Sequence, residues 1–120
     1  MNFAFRLIAP RPTFVEDMTG DERATMAEHA EYWRGLLAEG VAVVFGPVLD
    51  PAGPYGLAVV EADGPEHVER IIAADPAVRS GLKTEVHPMP GAVVRPFAGV
   101  TRQAAGSRRP TQSCAQNVSG

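Results

Sequence analysis

Two apolar runs separated by a Pro/Gly-rich segment constrain the fold of this 120-residue chain more than any other feature. The first run is VAVVFGPV, residues 41–48, and the second is LAVVEA, residues 57–62, with DPAGPYG between them. Short apolar runs that are bounded by turn residues are typical of buried strands. The sequence therefore predicts two strands joined by a turn in the middle of the chain.

A helix is predicted on each side of this strand pair. Thr19 and Glu22 have the spacing of a capping box, and Gly40 is suited to end the helix that they begin. The second helix begins at Asp63-Gly64-Pro65, because proline in the first turn of a helix costs no hydrogen bond. It ends at Asp75-Pro76, since the residue before a proline avoids the helical conformation.

Two further strands complete the arrangement, one near each end of the folded part. Residues 3–8 alternate before a proline, and residues 82–89 form the last apolar-polar run. The order β-α-β-β-α-β is that of the ferredoxin-like fold, so we predict one α+β domain over residues 1–96. Residues 97–120 are small and polar without periodicity, and we expect a mostly disordered C-terminal tail there.

Composition narrows the classes of protein. The net charge of −3 gives no reason to expect nucleic acid or a membrane as a partner. Cys114 is the only cysteine, and the first residues lack the long apolar core of a signal peptide, so we expect a cytoplasmic protein. The sequence has no glycine-rich phosphate motif and no metal-ligand spacing, so we expect no organic cofactor and no metal.

The two middle strands indicate a homodimer. A sheet with helices on one face should alternate in polarity, because its other face meets water. VAVVFGPV does not alternate, and two helices cover only one face, so the simplest cover for the other face is the sheet of a second copy. We expect the pocket at or near this sheet face. The alternative is a monomer, since apolar runs this short are ambiguous.

His29 and Asp75 are both predicted to face inward. On the helical wheel of the first helix, His29 lies at the edge of the buried stripe, whose members are Met26, Ala30, Trp33 and Leu37. Asp75 continues the apolar stripe of the second helix. A carboxylate bonded to one imidazole nitrogen leaves the other nitrogen basic, which is the usual way to build a general base. The alternatives are that Asp75 caps the following turn and that His29 bonds a backbone carbonyl in the core.

Three further side chains are candidates to contact a substrate. Arg6 on the first strand is suited to hold an anionic group by bidentate contacts. His87 on the last strand faces the dimer cavity if that face of its strand does, and Trp33 lies in the buried stripe near His29. Solvated positions are the alternative for Arg6 and His87. A metal held by His29, Asp75 and His87 is a further alternative, which no ligand spacing supports.

The order and spacing of these features resemble the YciI-like (YCII-related) family. The resemblance is carried by HAEYWRGLLAEGVAVVFGPVLDPAGPYGLAVVEA and AADPAVRSGL, within about residues 3–96. They contain a histidine in the first helix, a strand that closes in Gly-Pro, a glycine-bearing hairpin, and Asp-Pro before a turn with glycine. The resemblance implies a ferredoxin-like domain that dimerises into an α/β barrel. It also implies a His–Asp pair proposed as catalytic, which corresponds to His29 and Asp75.

The resemblance also implies chemistry. One characterised kind of member removes chloride from a chlorinated hydroxyquinol, and relatives on the same barrel include muconolactone isomerases and small cofactor-free monooxygenases. Ala77 stands where the family usually has a large side chain, which suggests a roomier pocket. We therefore predict a cofactor-independent enzyme that isomerises or eliminates a small cyclic or aromatic organic acid or enol. His29 is its acid/base and Asp75 orients the imidazole. A non-catalytic binding or accessory domain is the alternative.

Overall fold

The structure of the protein is a computed structural model, and it describes residues 1–96. The elements in chain order are β1 (Asn2–Ile8), α1 (Phe14–Asp17), α2 (Gly20–Ala38), β2 (Ala42–Val48), β3 (Tyr55–Glu61), α3 (Pro65–Ala73), α4 (Pro76–Arg79) and β4 (Lys83–Pro88). All six predicted elements are present, and the single-turn helices α1 and α4 are additional. The tail predicted over residues 97–120 lies outside the described residues.

The four strands form one antiparallel sheet in the order β2-β3-β1-β4. This order puts β3 between the two strands that α2 connects, as in the ferredoxin-like fold. The register sets Phe5 opposite Val86 and Arg6 opposite Glu85. Because successive residues of a strand point to opposite faces, Phe5 and Arg6 lie on different sides of the sheet.

The core lies between one face of the sheet and the helices. Along β1, Phe3, Phe5 and Leu7 are buried and the residues between them are not, so the predicted alternation is confirmed. The largest fully buried side chains are Trp33, Phe5, Val60, Val68 and Asp75. Burying a large apolar side chain contributes about 1.5–3 kcal/mol to the free energy of folding, whereas burying a carboxylate needs compensating hydrogen bonds. Asp75 is therefore the exceptional member of this core.

The local signals that begin and end α2 are confirmed. The Thr19 side chain accepts a hydrogen bond from the Glu22 N–H at 3.1 Å, and the Glu22 carboxylate accepts one from the Thr19 N–H at 2.9 Å. These are the two bonds of a capping box. Gly40 has a φ of 81°, a conformation that side chains rarely adopt, and the chain leaves the helix there.

The rotation of α2 about its axis differs from the predicted one. Leu37 was placed in the buried stripe by the helical wheel, but it is 39% exposed, and Leu36 is buried instead. The inward face of α2 is centred on His29, Trp33 and Leu36, because this side packs against the sheet and α4. His29 therefore lies within the inward face and not at its edge.

Within residues 1–96, no helix packs on the other face of the sheet, and we call it the open face. Its β2–β3 half is apolar, with Val44 opposite Val59, and Val44 is 51% exposed. Its β1–β4 half is polar, with Arg6 opposite Glu85 and His87 opposite Ala4. The apolar half is formed by β2 and β3, the two strands that do not alternate in polarity. This lack of alternation is the basis of the predicted homodimer.

Candidate active site

A buried carboxylate organises the candidate active site. Asp75 is 0% exposed, and its two oxygens accept hydrogen bonds from α2 and α4. The Ala77 N–H donates to Oδ1 at 2.9 Å, and the Trp33 Nε1–H donates to Oδ2 at 2.8 Å. Nδ1 of His29 lies 2.9 Å from each of the two oxygens. The three contacts supply the compensation that a carboxylate in the core requires.

The local sequence explains why Asp75 reaches this position. The proline that follows it disfavours the helical conformation, and Asp75 adopts φ −69° and ψ 125°. The helix α3 therefore ends at Ala73, and Asp75 becomes the N-cap of α4 with Pro76 in the first turn. The capping role and the contact with His29 were alternatives at the sequence level, and Asp75 does both at once.

His29 is held so that one ring nitrogen is left free. An ionised carboxylate only accepts hydrogen bonds, so Nδ1 carries a proton and Nε2 has the lone pair in the neutral ring. No residue in 1–96 hydrogen-bonds Nε2. The imidazole is 13% exposed, and among the described residues Arg6 Nε is the one buried side-chain polar atom without a partner. Nε2 of His29 therefore has no hydrogen-bond partner among residues 1–96 and lies on a partly exposed ring.

The pKa of Tyr32, which packs beside Trp33, is affected by its burial and by the negative charge of Asp75. Its ring packs edge-on against Trp33, with centroids 5.8 Å apart, and its hydroxyl donates to the Ile71 carbonyl. The pKa of Tyr32 is raised above its ordinary value, first by burial and then by the charges of Asp75 and Glu39. Ionisation of the Tyr32 phenol is therefore disfavoured, since it would place a second negative charge near the carboxylate of Asp75.

A cavity of about 620 Å³ lies next to the N-terminal half of α2. Its walls are formed by Ile8, Ala9, Pro10, Phe14, Asp21, Glu22, Thr25, Met26, Ser80, Gly81, Leu82 and Lys83. Thr25 and Met26 precede His29 by one helical turn on the same face. The cavity therefore begins about one helical turn N-terminal to His29 on the inward side of α2. His29 and Asp75 do not themselves line the cavity.

Ala77 does not enlarge this cavity. The small residue after Asp75-Pro76 suggests a roomier pocket, but the Ala77 side chain is fully buried in the core. It lines neither the cavity of about 620 Å³ nor a second one of about 330 Å³. The Ala77 backbone N–H and the Trp33 indole N–H both donate to the carboxylate of Asp75, so Ala77 belongs to the core around that side chain.

Arg6 and His87 are not brought together with His29. Both lie on the open face, because the intervening residues of β1 and β4 point toward the helices. Arg6 donates to Glu85 at 3.0 Å and its guanidinium lies 4.0 Å from the centre of the Tyr55 ring. His87 is exposed. Within residues 1–96 no three His, Cys, Asp or Glu side chains cluster closely enough to hold a metal ion, so the set His29, Asp75 and His87 is not assembled.

Trp33 lies at the site in a role that helical periodicity does not reveal. It is 0% exposed, and it donates its indole N–H to Asp75. Its predicted contact with a substrate stays a prediction. A signal was available in the sequence, because a buried tryptophan needs a hydrogen-bond acceptor. Trp33 follows His29 by four residues, on the same face of a helix, which points to a shared acceptor.

Arg11 forms a second polar group that sequence reasoning missed. Its guanidinium bonds the Asp17 carboxylate at 2.8 Å and both oxygens of Glu22, the shorter at 2.7 Å. The Arg11 bond is the main reason why the pKa of Glu22 falls from 4.5 to about 2. Hydrogen bonds from Thr13 and Arg11 lower the pKa of Asp17, and the pKa of Arg11 is raised in return. This group fixes α1 and the start of α2 beside the larger cavity.

The fold and the site together define a class: small α+β domains in which a carboxylate at a helix junction pairs with a histidine on the long helix. Residues 2–90 match the family model of the YCII-related domain, and the chain belongs to the YCII-related family. No curated protein matches it. No helix of residues 1–96 combines the length and apolar character that a membrane crossing requires.

The chain is similar to a solved structure, that of 5-chloro-2-hydroxyhydroquinone dehydrochlorinase (TftG) from Burkholderia phenoliruptrix AC1100 in complex with 2,5-dihydroxybenzoquinone. The TM-score is 0.58 at 23% sequence identity, and the match covers 77% of this chain and 96% of that chain. At this level of identity the similarity establishes the shared fold.

Proposed function

We propose that the protein is a small cofactor-independent enzyme that moves a proton on a cyclic or aromatic organic acid or enol. The observation that carries the proposal is the contact of His29 Nδ1 with both oxygens of the buried Asp75, at 2.9 Å each. It leaves Nε2 as a base and supplies a negative charge that stabilises the imidazolium formed when Nε2 takes a proton.

The proposed step begins with a C–H bond next to a carbonyl group. Nε2 of His29 takes the proton, and the bonding electron pair moves into the carbonyl to give an enolate. In an isomerisation the imidazolium returns the proton to another carbon, and in an elimination the enolate expels a leaving anion. General acid–base help of this kind is worth about 10²–10⁴-fold in rate, or roughly 3–5 kcal/mol. Positioning of the substrate must supply the rest.

The cavity beside α2 supports the substrate class. A volume of about 620 Å³ lies within the range of small-molecule sites, and a single ring fits it with space for substituents. Its walls combine apolar Ile8, Phe14 and Leu82 with a hydroxyl from Thr25 and the residue Lys83. The dehydrochlorinase of similar fold holds 2,5-dihydroxybenzoquinone, a ring of the same class. A substrate contact of Arg6 or His87 would need a separate site on the open face.

We also propose a cytoplasmic homodimer, in which the open face packs against a second copy of the chain. The exposed apolar half of that face supports this arrangement, since large apolar patches on a monomer are uncommon. Val44 and Val59 would then lie at the interface. His29 lies on the opposite side of the sheet, so each copy would hold its own proton-transfer site facing away from the interface.

A non-catalytic binding or accessory domain is the second candidate, and one observation favours it. Asp75 already accepts from three donors and ties α2 to α4, which is a complete structural role without any chemistry. In that case the cavity binds a small molecule, and His29 contributes only a hydrogen bond to the fold.

Proton exchange distinguishes the two candidates without knowledge of the product. We would incubate the protein in D₂O with a panel of hydroxyquinols, cyclic 1,3-diketones and enolisable cyclic acids, and follow the loss of each C–H signal by NMR. We expect exchange of at least one compound with wild type, and exchange at least about 10²-fold slower with His29→Gln. His67→Gln is the matched control, because His67 lies on α3, where its ring accepts a hydrogen bond from the Asp63 N–H and not from the groups of the site. Binding without exchange would favour the accessory domain.

A further inference from the structure

We infer that Trp33 is a positioning residue, whose indole N–H fixes the Asp75 carboxylate and, through it, the tautomer of His29. The inference rests on the proposed function in that His29 needs a free Nε2. It concerns the geometry of the imidazole, however, and is tested without a substrate.

The carboxylate of Asp75 is held at both oxygens by donors that cannot follow its rotation. Oδ1 accepts from the Ala77 N–H of α4 at 2.9 Å, and Oδ2 accepts from the Trp33 indole of α2 at 2.8 Å. Rotation about the bond between Cβ and Cγ would break both hydrogen bonds. His29 Nδ1, at 2.9 Å from each oxygen, therefore faces an acceptor of fixed orientation.

The indole is itself immobile, so it is able to fix its acceptor. Trp33 is 0% exposed and stacks on Phe5 with ring centroids 5.4 Å apart and an angle of 15° between the planes. The rings of Tyr32 and Phe45 lie against it at 5.8 and 6.4 Å. Because aromatic rings pack against the indole on several sides, its N–H group is held in place and donates to the Asp75 carboxylate in a fixed direction.

The bond to Asp75 distinguishes Trp33 from an ordinary core residue. A phenyl ring at this position would keep contacts with Phe5 and Tyr32, but it would leave Oδ2 without its indole donor. The carboxylate could then rotate toward other donors, and the imidazole would no longer be confined to the tautomer with the proton on Nδ1. The free imidazole exchanges between two tautomers, and only the one protonated on Nδ1 leaves Nε2 basic.

Trp33 is the one tryptophan of the chain, so its indole can be replaced biosynthetically. In a tryptophan auxotroph, β-(3-benzothienyl)alanine supplies a ring of nearly the same shape with sulfur in place of the N–H. The matched control is 4-fluorotryptophan, which keeps the N–H. ¹⁵N NMR of the histidine rings in their neutral form gives the tautomer of His29. Carbethoxylation by diethyl pyrocarbonate, resolved by mass spectrometry, gives the reactivity of its Nε2 relative to exposed His87.

We expect the tautomer protonated on Nδ1 alone in the wild type and in the fluorotryptophan protein. The benzothienyl protein should show both tautomers, and the carbethoxylation of His29 relative to His87 should fall by about twofold or more. A benzothienyl protein that melts cooperatively but keeps one tautomer and the same relative rate would overturn the inference. Trp33 would then contribute packing alone.

A measurement on the unmodified protein covers the case in which the benzothienyl chain does not fold. The indole proton of wild-type Trp33 should resonate downfield of its position in the unfolded chain and exchange slowly with water, because it is buried and bonds a carboxylate. An indole proton at the unfolded-chain position would overturn the inference. A single wild-type tautomer that the benzothienyl protein loses, in a protein that exchanges no enolisable proton, supports the role of Trp33 and contradicts the proposed function, so the two failures are distinguishable.

Discussion

At the residue scale, Asp75 has an observed structural role and, in the proposed function, a chemical role, and both use the same two oxygen atoms. Its carboxylate begins α4, ties that helix to α2, and orients the imidazole of His29. Removing it leaves three N–H donors in or near the core without an acceptor, and each buried unpaired donor costs about 1–3 kcal/mol. The stability of the protein and the geometry of the site are therefore linked through one side chain.

We predict that Asp75→Ala lowers the free energy of unfolding by roughly 3 kcal/mol, because the donors of Trp33 and Ala77 lose their acceptor. Urea unfolding followed by circular dichroism measures the change. Asp63→Ala is the matched control, since the Asp63 side chain is 99% exposed, and it should change the free energy of unfolding by less than about 0.5 kcal/mol. Equal effects of the two substitutions would contradict the role of Asp75.

The sequence predicts the inward position of some site residues for sound physical reasons, and it does not show how the others are arranged. His29 and Asp75 face inward on their helices, and two inward polar groups need each other, which is a deduction from periodicity and burial cost. The burial of Phe3, Phe5 and Leu7 places Arg6 on the open face, away from His29, so its predicted contact with a substrate stays a prediction. The bond between Trp33 and Asp75 depends on how α2 rotates, and periodicity does not fix a rotation to within one residue.

At the element scale, local signals determine where α2 begins and ends, and tertiary contacts determine the two short helices. The capping box and Gly40 act within a few residues, so they are legible in the sequence. The helix α1 depends on burial of Phe14 and on Arg11, which bonds residues farther along the chain. A single helical turn is too short to show periodicity, so neither α1 nor α4 is predicted.

Two glycines, one within α2 and one just after its end, give predictions of opposite sign. Gly35 lies within the helix, and no atom beyond its own helix backbone lies within 4 Å of an added Cβ, whereas Gly40 has a φ of +81°. Gly35→Ala should raise the free energy of unfolding by about 0.5–1 kcal/mol, because alanine loses less backbone entropy in a helix. Gly40→Ala should lower it by about 1 kcal/mol, because the left-handed conformation strains a residue with a Cβ. Urea unfolding of both variants tests the pair, and the same sign for both would contradict the described end of α2.

The group around Arg11 predicts a dependence of stability on pH. The pKa of Glu22 is about 2 in the folded protein, below its ordinary value of 4.5, so its ionised form stabilises the fold. This contribution is fully present above about pH 4.5 and is lost as the pH falls toward 2. Glu22→Gln should therefore lower stability near neutral pH and make its decline between pH 4.5 and 2 less steep. Urea unfolding at several pH values measures this, with exposed Glu28→Gln as the control that should keep the wild-type slope.

At the scale of the whole molecule, the sheet separates two surfaces that differ in composition. The helix-covered side holds His29, Asp75 and the larger cavity. The open side holds an apolar half around Val44 and a polar half around Arg6. The order of the elements and this two-sided division follow from the sequence, because strand alternation and helix number are both legible there. The sequence does not determine which surface holds the site, since that depends on which face of each strand meets the helices.

The proposed homodimer gives a prediction about the open face. Sedimentation velocity should find wild type at twice the mass of one chain, and Val44→Lys at the mass of one chain, because a lysine would be buried at the interface without a partner. Leu37→Lys is the control, since Leu37 is 39% exposed on α2, which covers the opposite side of the sheet. A wild-type chain that sediments as a single copy at micromolar concentration would exclude the homodimer.

The contact between His29 and Asp75 joins residues 46 positions apart in the sequence. A growing or partly unfolded chain that has formed α2 but has not docked α4 therefore carries an ordinary solvated histidine with no fixed proton. The geometry that the proposed base requires therefore forms only when this loop closes and α4 docks against α2. In a urea titration, the proposed proton exchange should be lost no later than the circular dichroism signal of the folded chain, because detachment of α4 alone is enough to separate His29 from Asp75.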